Sequence, residues 1–182
     1  MTKMYEAFAA VLKNFVDEEP KPHLHVGEVM DLWTAHTAFR EAHSLYQIGL
    51  NTTTDSDLKN VLENALKGSY ADTEMLEDFL VKEGVPLPLA SIKKPISQSD
   101  AIPEGVKLTD DEIANLIAVK IAASITFCAQ AASKSIRTDV GLIFVKMQFV
   151  LMEFAAPLKN LMKSRGWLRI PPYYIPPGSP NT

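Results

Sequence analysis

Between residues 85 and 108 the chain carries four prolines, Pro86, Pro88, Pro95 and Pro103, and no sustained apolar period, while the long segments on either side read as helix. Proline lacks the amide proton a helix needs and its ring collides with the preceding turn, so this stretch separates two pairs of helices. About 24 residues at ~3.1 to 3.3 Å each can run the full length of a helix, whereas neighbouring bundle helices are usually joined by ~2 to 8 residues. The gap therefore predicts an all-α, ferritin-like four-helix bundle: two antiparallel hairpins joined by one lengthwise crossover, with the second and third helices parallel.

Local signals place the helices. The first is predicted over residues 27–50, where Val29, Leu32, Trp33, Phe39, Tyr46 and Leu50 share one arc at 100° per residue, opposite Asp31, Thr34, Glu41 and Ser44. The stretch NTTTDSD offers side-chain oxygens that can cap a second helix from about Ser56, and Gly84 followed by Pro86 and Pro88 ends it. Thr109 caps the third, whose acidic first turn of Asp110, Asp111 and Glu112 suits the helix dipole, and which runs to Lys134. Thr138 is expected to cap the fourth, Pro157 to bend or interrupt it near Glu153, and Gly166 to close it. The domain reading is a short helix within residues 1–18, a bundle over 24–166, and a proline-rich aromatic tail, 167–182, packed on the bundle.

Composition narrows the function classes. With 18 basic against 22 acidic residues among 182, no global positive field exists to draw the chain onto nucleic acid or an anionic membrane. A single cysteine, Cys128, excludes an internal disulfide framework, and the N-terminus offers no convincing signal peptide, so a cytoplasmic protein is expected. Charge is divided: residues 1–90 carry 7 basic and 15 acidic side chains, net −8, and residues 91–182 carry 11 and 7, net +4. That asymmetry favours docking of the hairpins on each other and equally favours self-association, with a two-fold dimer the first expectation. The third helix holds about 20 residues of low polarity, a bilayer-spanning length, but Lys120, Asn115 and Gln130 point instead to a central helix buried on most sides.

Phosphate-binding, dinucleotide-binding, nucleophile-elbow and metalloprotease motifs are absent. A ferritin-like di-metal centre needs inward carboxylates on two helices and Glu-x-x-His on the other two. Here Glu153 is followed three residues later by Ala156, and Glu74 and Glu77 lie off the core face of the second helix, so no metal ligand, catalytic residue or cofactor is assigned. What remains is an interior polar set. His36 and His43 fall on the first helix's apolar arc, their backbones ~10 Å apart along the axis, too far to share one ion. Ser69 and Asp72 occupy the core face of the second helix, and Lys120 and Ser124 that of the third. An inward lysine needs a carboxylate, so Lys120 is expected to meet Asp72 at the midplane, with His36, His43, Ser69 and Ser124 around them. That set reads either as a self-satisfied network that fixes helix register or as a small ligand-binding cavity. His23 and His25 are expected in a solvated loop.

Four segments in this order, GEVMDLW, KEGVPLP, SIRTDVG and KSRGWLRIPP, resemble a Bacillus-type family of uncharacterised ferritin-like proteins related to spore coat protein F, over roughly residues 24–176. Members of that family often carry two bundles in tandem, so the resemblance implies that a single copy pairs with another chain. It also implies a sporulating-bacterium context, in the spore coat or the cytoplasm. The functional expectation is a non-enzymatic structural or interaction protein, partnered by itself and by coat or cytosolic proteins. The alternative is a bundle that holds a metal or small ligand at its polar midplane.

Overall fold

Four long helices form the structure: α1 (Val26–Thr52), α2 (Ser56–Lys82), α3 (Asp110–Lys134) and α4 (Thr138–Ser164), with one 3-10 turn, Ser99–Ala101, in the crossover. This computed structural model describes residues 20–89 and 92–177, together with Glu6. The helix expected within 1–18 otherwise lies outside the described residues, as does the end of the tail.

The caps fix the boundaries. Thr109 and Glu112 make a reciprocal capping box at α3, and Asp55 accepts the amides of Asp57 and Leu58 at α2. His25 is not simply solvated: its Nδ1 accepts the amides of Gly27 and Glu28 while Glu28 accepts the amide of His25, so a histidine caps α1. Thr138 is the first residue of α4, and the N-cap position belongs to Arg137, which makes no side-chain cap bond because a guanidinium carries only donors and cannot accept an amide. Gly84 and Gly166 end α2 and α4 in the left-handed conformation, φ 74° and 72°, each followed by a reach-back bond, Val85 to Leu80 and Trp167 to Met162. A side chain with a Cβ would be strained at both positions. Pro157 does not interrupt α4. It sits on the solvent face, where water can satisfy the freed carbonyl of Glu153.

One end of the bundle gathers the start of α1, the end of α2 and the α3–α4 connection: Glu28 accepts the amides of Ile136 and Arg137, Lys134 pairs with Asp31, and Arg137 pairs with Glu83. The opposite end gathers the rest, since Thr53 bonds Asp110 and Arg165 pairs with Asp55 and Asp57. Hence α1 is antiparallel to α2 and α3, and α2 is parallel to α3, the expected topology. The crossover reaches the far end by Pro95, whose carbonyl accepts from Asn51. From Glu83 that is about 12 residues, ~40 Å when extended, which matches the ~40 Å length of a 27-residue helix.

Around the bundle α1 packs on α2 and α3, and α4 on α3 and α2, so α2 and α3 face each other across a diagonal. The core between them is filled by Leu32, Leu58, Leu62, Leu76, Ile117, Phe144 and their neighbours, all fully buried. The first-helix arc is rotated from its expected phase: Asp31 is buried beneath Lys134, while Trp33 is partly exposed. α3 is not buried on most sides. Only 28% of its most apolar window is buried, the same as for α4, because no further described element covers the outer face of this hairpin. Both helices are long and apolar enough to cross a membrane by length and composition. In the tail Trp167 and Leu168 pack on the core, and Asn115 donates to the carbonyl of Trp167. Tyr173, Tyr174 and Ile175 are exposed, contrary to the packed tail expected, because Pro171 and Pro172 hold the chain extended beyond the helix ends.

Candidate functional site

The predicted polar set does not close into one cluster. Asp72 is buried and makes no ion pair or hydrogen bond with another described residue, and its charged neighbour is Lys146 on the adjoining α4. Lys120 is half-buried and faces Glu41 on α1. The expected Asp72–Lys120 pair is therefore absent. Asp72 lies further along α2 than Lys120 does along the parallel α3, the two helices face each other across a diagonal, and lysine's four-carbon stem lets its ammonium reach toward Glu41 on α1. Burial lowers the affinity of Lys120 for its proton, and Glu41 partly restores it.

The other members are dispersed too. Ser69 donates to the carbonyl of Phe39 at 3.4 Å, and Ser124 is half-buried on α3 with no hydrogen bond to a described residue. His36, almost fully buried, meets Glu77 at 2.9 Å through Nε2, and Glu77 also approaches Arg40 at 3.5 Å. Glu77 thus reaches back to α1 rather than only to solvent. The pattern His36, Arg40 at i, i+4 on one helix was the available signal for it. His43 contacts Thr73 at 3.4 Å and stacks on Tyr70, ring centroids 4.0 Å apart.

At the midplane Phe39, Tyr46, Ala65, Ser69, Asp72, Ile121 and Phe154 enclose a void of about 10 Å³. That is room for a single water at most. Gly68 explains the tightness, since a Cβ there would lie 2.7 Å from the Phe154 ring. Burial pushes the Tyr46 hydroxyl up to about 12, and burial with the nearby Asp72 charge pushes the Cys128 thiol up to about 12, so both stay protonated and the thiol unreactive. Among the described residues no three His, Cys, Asp or Glu side chains converge as metal donors.

Burial raises the Asp72 carboxyl above its ordinary range, with Lys146 opposing. An acid that binds its proton more tightly when folded destabilises the fold once ionised, so its penalty is complete above the folded value, fades as pH falls from there to the unfolded value, and is gone below it. Asp72→Asn should then raise stability at pH 7 by about 1 kcal/mol, a gain that disappears toward pH 3, as measured by urea unfolding at both pH values. Combined with Lys120→Met the effects should add to within about 0.5 kcal/mol, as for sites without a shared partner.

Where chemistry is sparse, structural side chains are concentrated. Glu28, Glu83, Arg137 and Asp139, drawn from three of the four sequence motifs, meet at one end of the bundle. Arg165, Trp167 and Arg169 of the fourth motif secure the other.

This is a ferritin-like four-helix bundle whose midplane leaves a void of only about 10 Å³. Residues 15–179 match the family described as protein of unknown function DUF3231, and the chain belongs to that family. It is 30% identical over 165 residues to the uncharacterised protein YvdQ of Bacillus subtilis strain 168, covering 91% of this chain and 95% of that one. A candidate spore coat protein from Bacillus halodurans C-125 superposes with a TM-score of 0.83 at 33% identity, over 85% of this chain and 98% of the other. A two-domain protein from Anabaena variabilis with DJ-1/ThiJ/PfpI-like and ferritin-like domains shares the fold, TM-score 0.63 at 16% identity, over 86% of this chain and 42% of its own length.

Proposed function

We propose that this chain is a non-catalytic spore coat component that assembles with a second copy of itself through the outer face of the α3–α4 hairpin. The observation that carries the reading is that face. Leu116, Val119, Ala123, Thr126, Ala129 and Ser133 recur every three or four residues along the exposed side of α3, and Lys120 is the only charge between Glu112 and Lys134. Beside them a groove of about 200 Å³, lined by Ala122, Ile125, Ala155, Met162 and Leu168 and by one charged residue, Lys159, is mostly apolar.

A second copy fits this face better than an unrelated partner, on charge and on size. Two α3 helices paired antiparallel place the acidic first turn of each near the partner's basic last turn. The hairpin face is roughly 37 Å long and 20 Å wide, so each partner would bury roughly 700 Å², close to the ~800 Å² of a stable interface. The kinship with a candidate coat protein supports the setting. A midplane ligand site has less in its favour, since the void there holds no more than one water.

Static light scattering of the full chain at high micromolar concentration should give the mass of two chains. Val119→Glu, at an exposed position, should return the mass of one without lowering the melting temperature of the bundle. A single-chain mass for the unaltered protein, or its recovery with phospholipid vesicles through these two apolar helices, would overturn the proposal.

A further inference from the structure

His43 opens away from the midplane, toward a second cavity. Between α1, α2 and the crossover lies a pocket of about 190 Å³, lined by Arg40, His43, Ser44, Gln47 and Tyr70 from the hairpin and by Ile92, Lys93 and Lys94 from the crossover. Three permanent cations and no carboxylate line it, Arg40 from the acidic half of the chain and Lys93 and Lys94 from the basic half. The nearest opposing charge, Glu77, is 3.5 Å from Arg40 but holds His36 more closely, at 2.9 Å.

The polar groups of this wall have bonding capacity left over. The Nε of Arg40 is buried with no partner, a costly state for a guanidinium donor. Ser44, the Tyr70 hydroxyl and the Lys94 ammonium make no hydrogen bond to a described residue. Lys93 contacts only the Tyr70 ring, 5.4 Å from its centroid. An arginine fork with a free edge, two lysines and two hydroxyls around a small volume is the chemistry that receives the oxygens of an anion. The volume is below the ~300 Å³ at which pockets for drug-sized ligands begin, which restricts the guest to a small one.

We propose that this pocket binds a small oxyanion, a phosphate or carboxylate group, held between Arg40 of α1 and Lys93 and Lys94 of the crossover. Such a ligand would neutralise the two lysines, share Arg40 with Glu77 and tie the crossover to the hairpin it passes. His43 is the natural reporter. Burial keeps its imidazole below its ordinary value, the Ser69 backbone and Glu77 oppose this, and Arg40 and Lys93 add to it. An anion placed among those cations must move it upward.

The test is a titration of the full-length protein with sodium phosphate, and separately with sodium malonate, against sodium chloride at equal ionic strength. It is followed by the imidazole resonance of His43 and by isothermal calorimetry. Saturable binding of phosphate or malonate is expected, with the His43 titration midpoint raised. Lys93→Gln combined with Lys94→Gln, two exposed positions that leave the core untouched, should weaken it at least tenfold, and Arg40→Gln should do the same. Binding by malonate alone would assign the site to carboxylates, and by phosphate alone to phosphate groups. An equal response to chloride, no saturation by either anion, or unchanged affinity in the double lysine variant would overturn the proposal.

Discussion

Arg137→Met should destabilise the bundle by about 3–5 kcal/mol in urea unfolding at pH 7, the cost of breaking a buried ion network by removing one partner. Arg137 is 3% exposed. Its NH1 and NH2 donate to the two carboxylate oxygens of Glu83 at 2.7 and 2.9 Å, and its Nε and NH2 donate to Asp139 at 3.0 and 2.8 Å. NH1 also reaches the carbonyl of Pro22, and the guanidinium lies 5.6 Å from the Phe79 ring. One side chain therefore joins the end of α2, the start of α4 and the segment before α1. Methionine keeps the bulk but leaves two carboxylates facing each other. Arg137→Lys should recover only a small part, since an ammonium cannot present two parallel donors to each carboxylate.

The same network sets the acid limit. Hydrogen bonds from Arg137 hold Asp139 down at about 2 and Glu83 below its ordinary value. A carboxylate with a depressed folded value adds stability that is complete above its unfolded value and is lost as pH falls through the folded one. The native protein should thus lose stability between about pH 4 and pH 2, and the methionine variant, in which Asp139 keeps Lys21 but Glu83 and Asp139 have lost Arg137, should show a flatter profile. A loss below 1 kcal/mol at pH 7 would contradict the central place given to Arg137.

Glu28→Ala should be comparably severe, about 3–5 kcal/mol, from two charge-assisted hydrogen bonds and the donors left behind. Glu28 is 2% exposed. Its Oε1 accepts the amides of Ile136 and Arg137 at 2.8 and 2.7 Å, and its Oε2 accepts the amide of His25. These amides belong to the N-cap residue of α4 and the residue before it, where the N-cap side chain itself makes no cap bond. Glu28 holds the entry to α4 from another helix. Hydrogen exchange separates this role from a general packing loss: the amides of Ile136 and Arg137 should lose protection first, and Glu28→Gln, which keeps one acceptor oxygen, should preserve most of it. Because Glu28 and Arg137 share one cluster, the double variant should lose less than the two single losses combined.

Elements whose causes are local were legible in the sequence. The caps at Thr109 and before Ser56, the glycine stops at Gly84 and Gly166 and the crossover length each depend on residues within one turn or one loop. Placing α2 parallel to α3 followed from reach alone. Which helices lie side by side did not, because periodicity gives the direction of a face but not the helix it meets. That is why Asp72 and Lys120, expected to meet at the midplane, face Lys146 and Glu41 instead of each other. The same limit hid the caps that come from afar. Glu28 lies 108 residues before the first amide it binds, and nothing near Arg137 announces it. The anion pocket escaped for a related reason: Lys93 and Lys94 belong to a segment without period, and only its path along α1 and α2 brings them to Arg40 and His43.

The single crossover between α2 and α3 leaves the two hairpins as halves held by one tether. A hairpin on a tether of this kind meets its own mate at an effective concentration in the millimolar range, so exchange of hairpins between two chains competes only when the protein itself approaches that level. The whole crossover of about 24 residues reaches roughly 75 Å, so close to half of it could be removed before the ~40 Å span is out of range. A chain shortened beyond that could no longer close on itself and could complete its core only with the hairpin of another. The length of one loop then decides whether four helices make a closed body or a link in an open series.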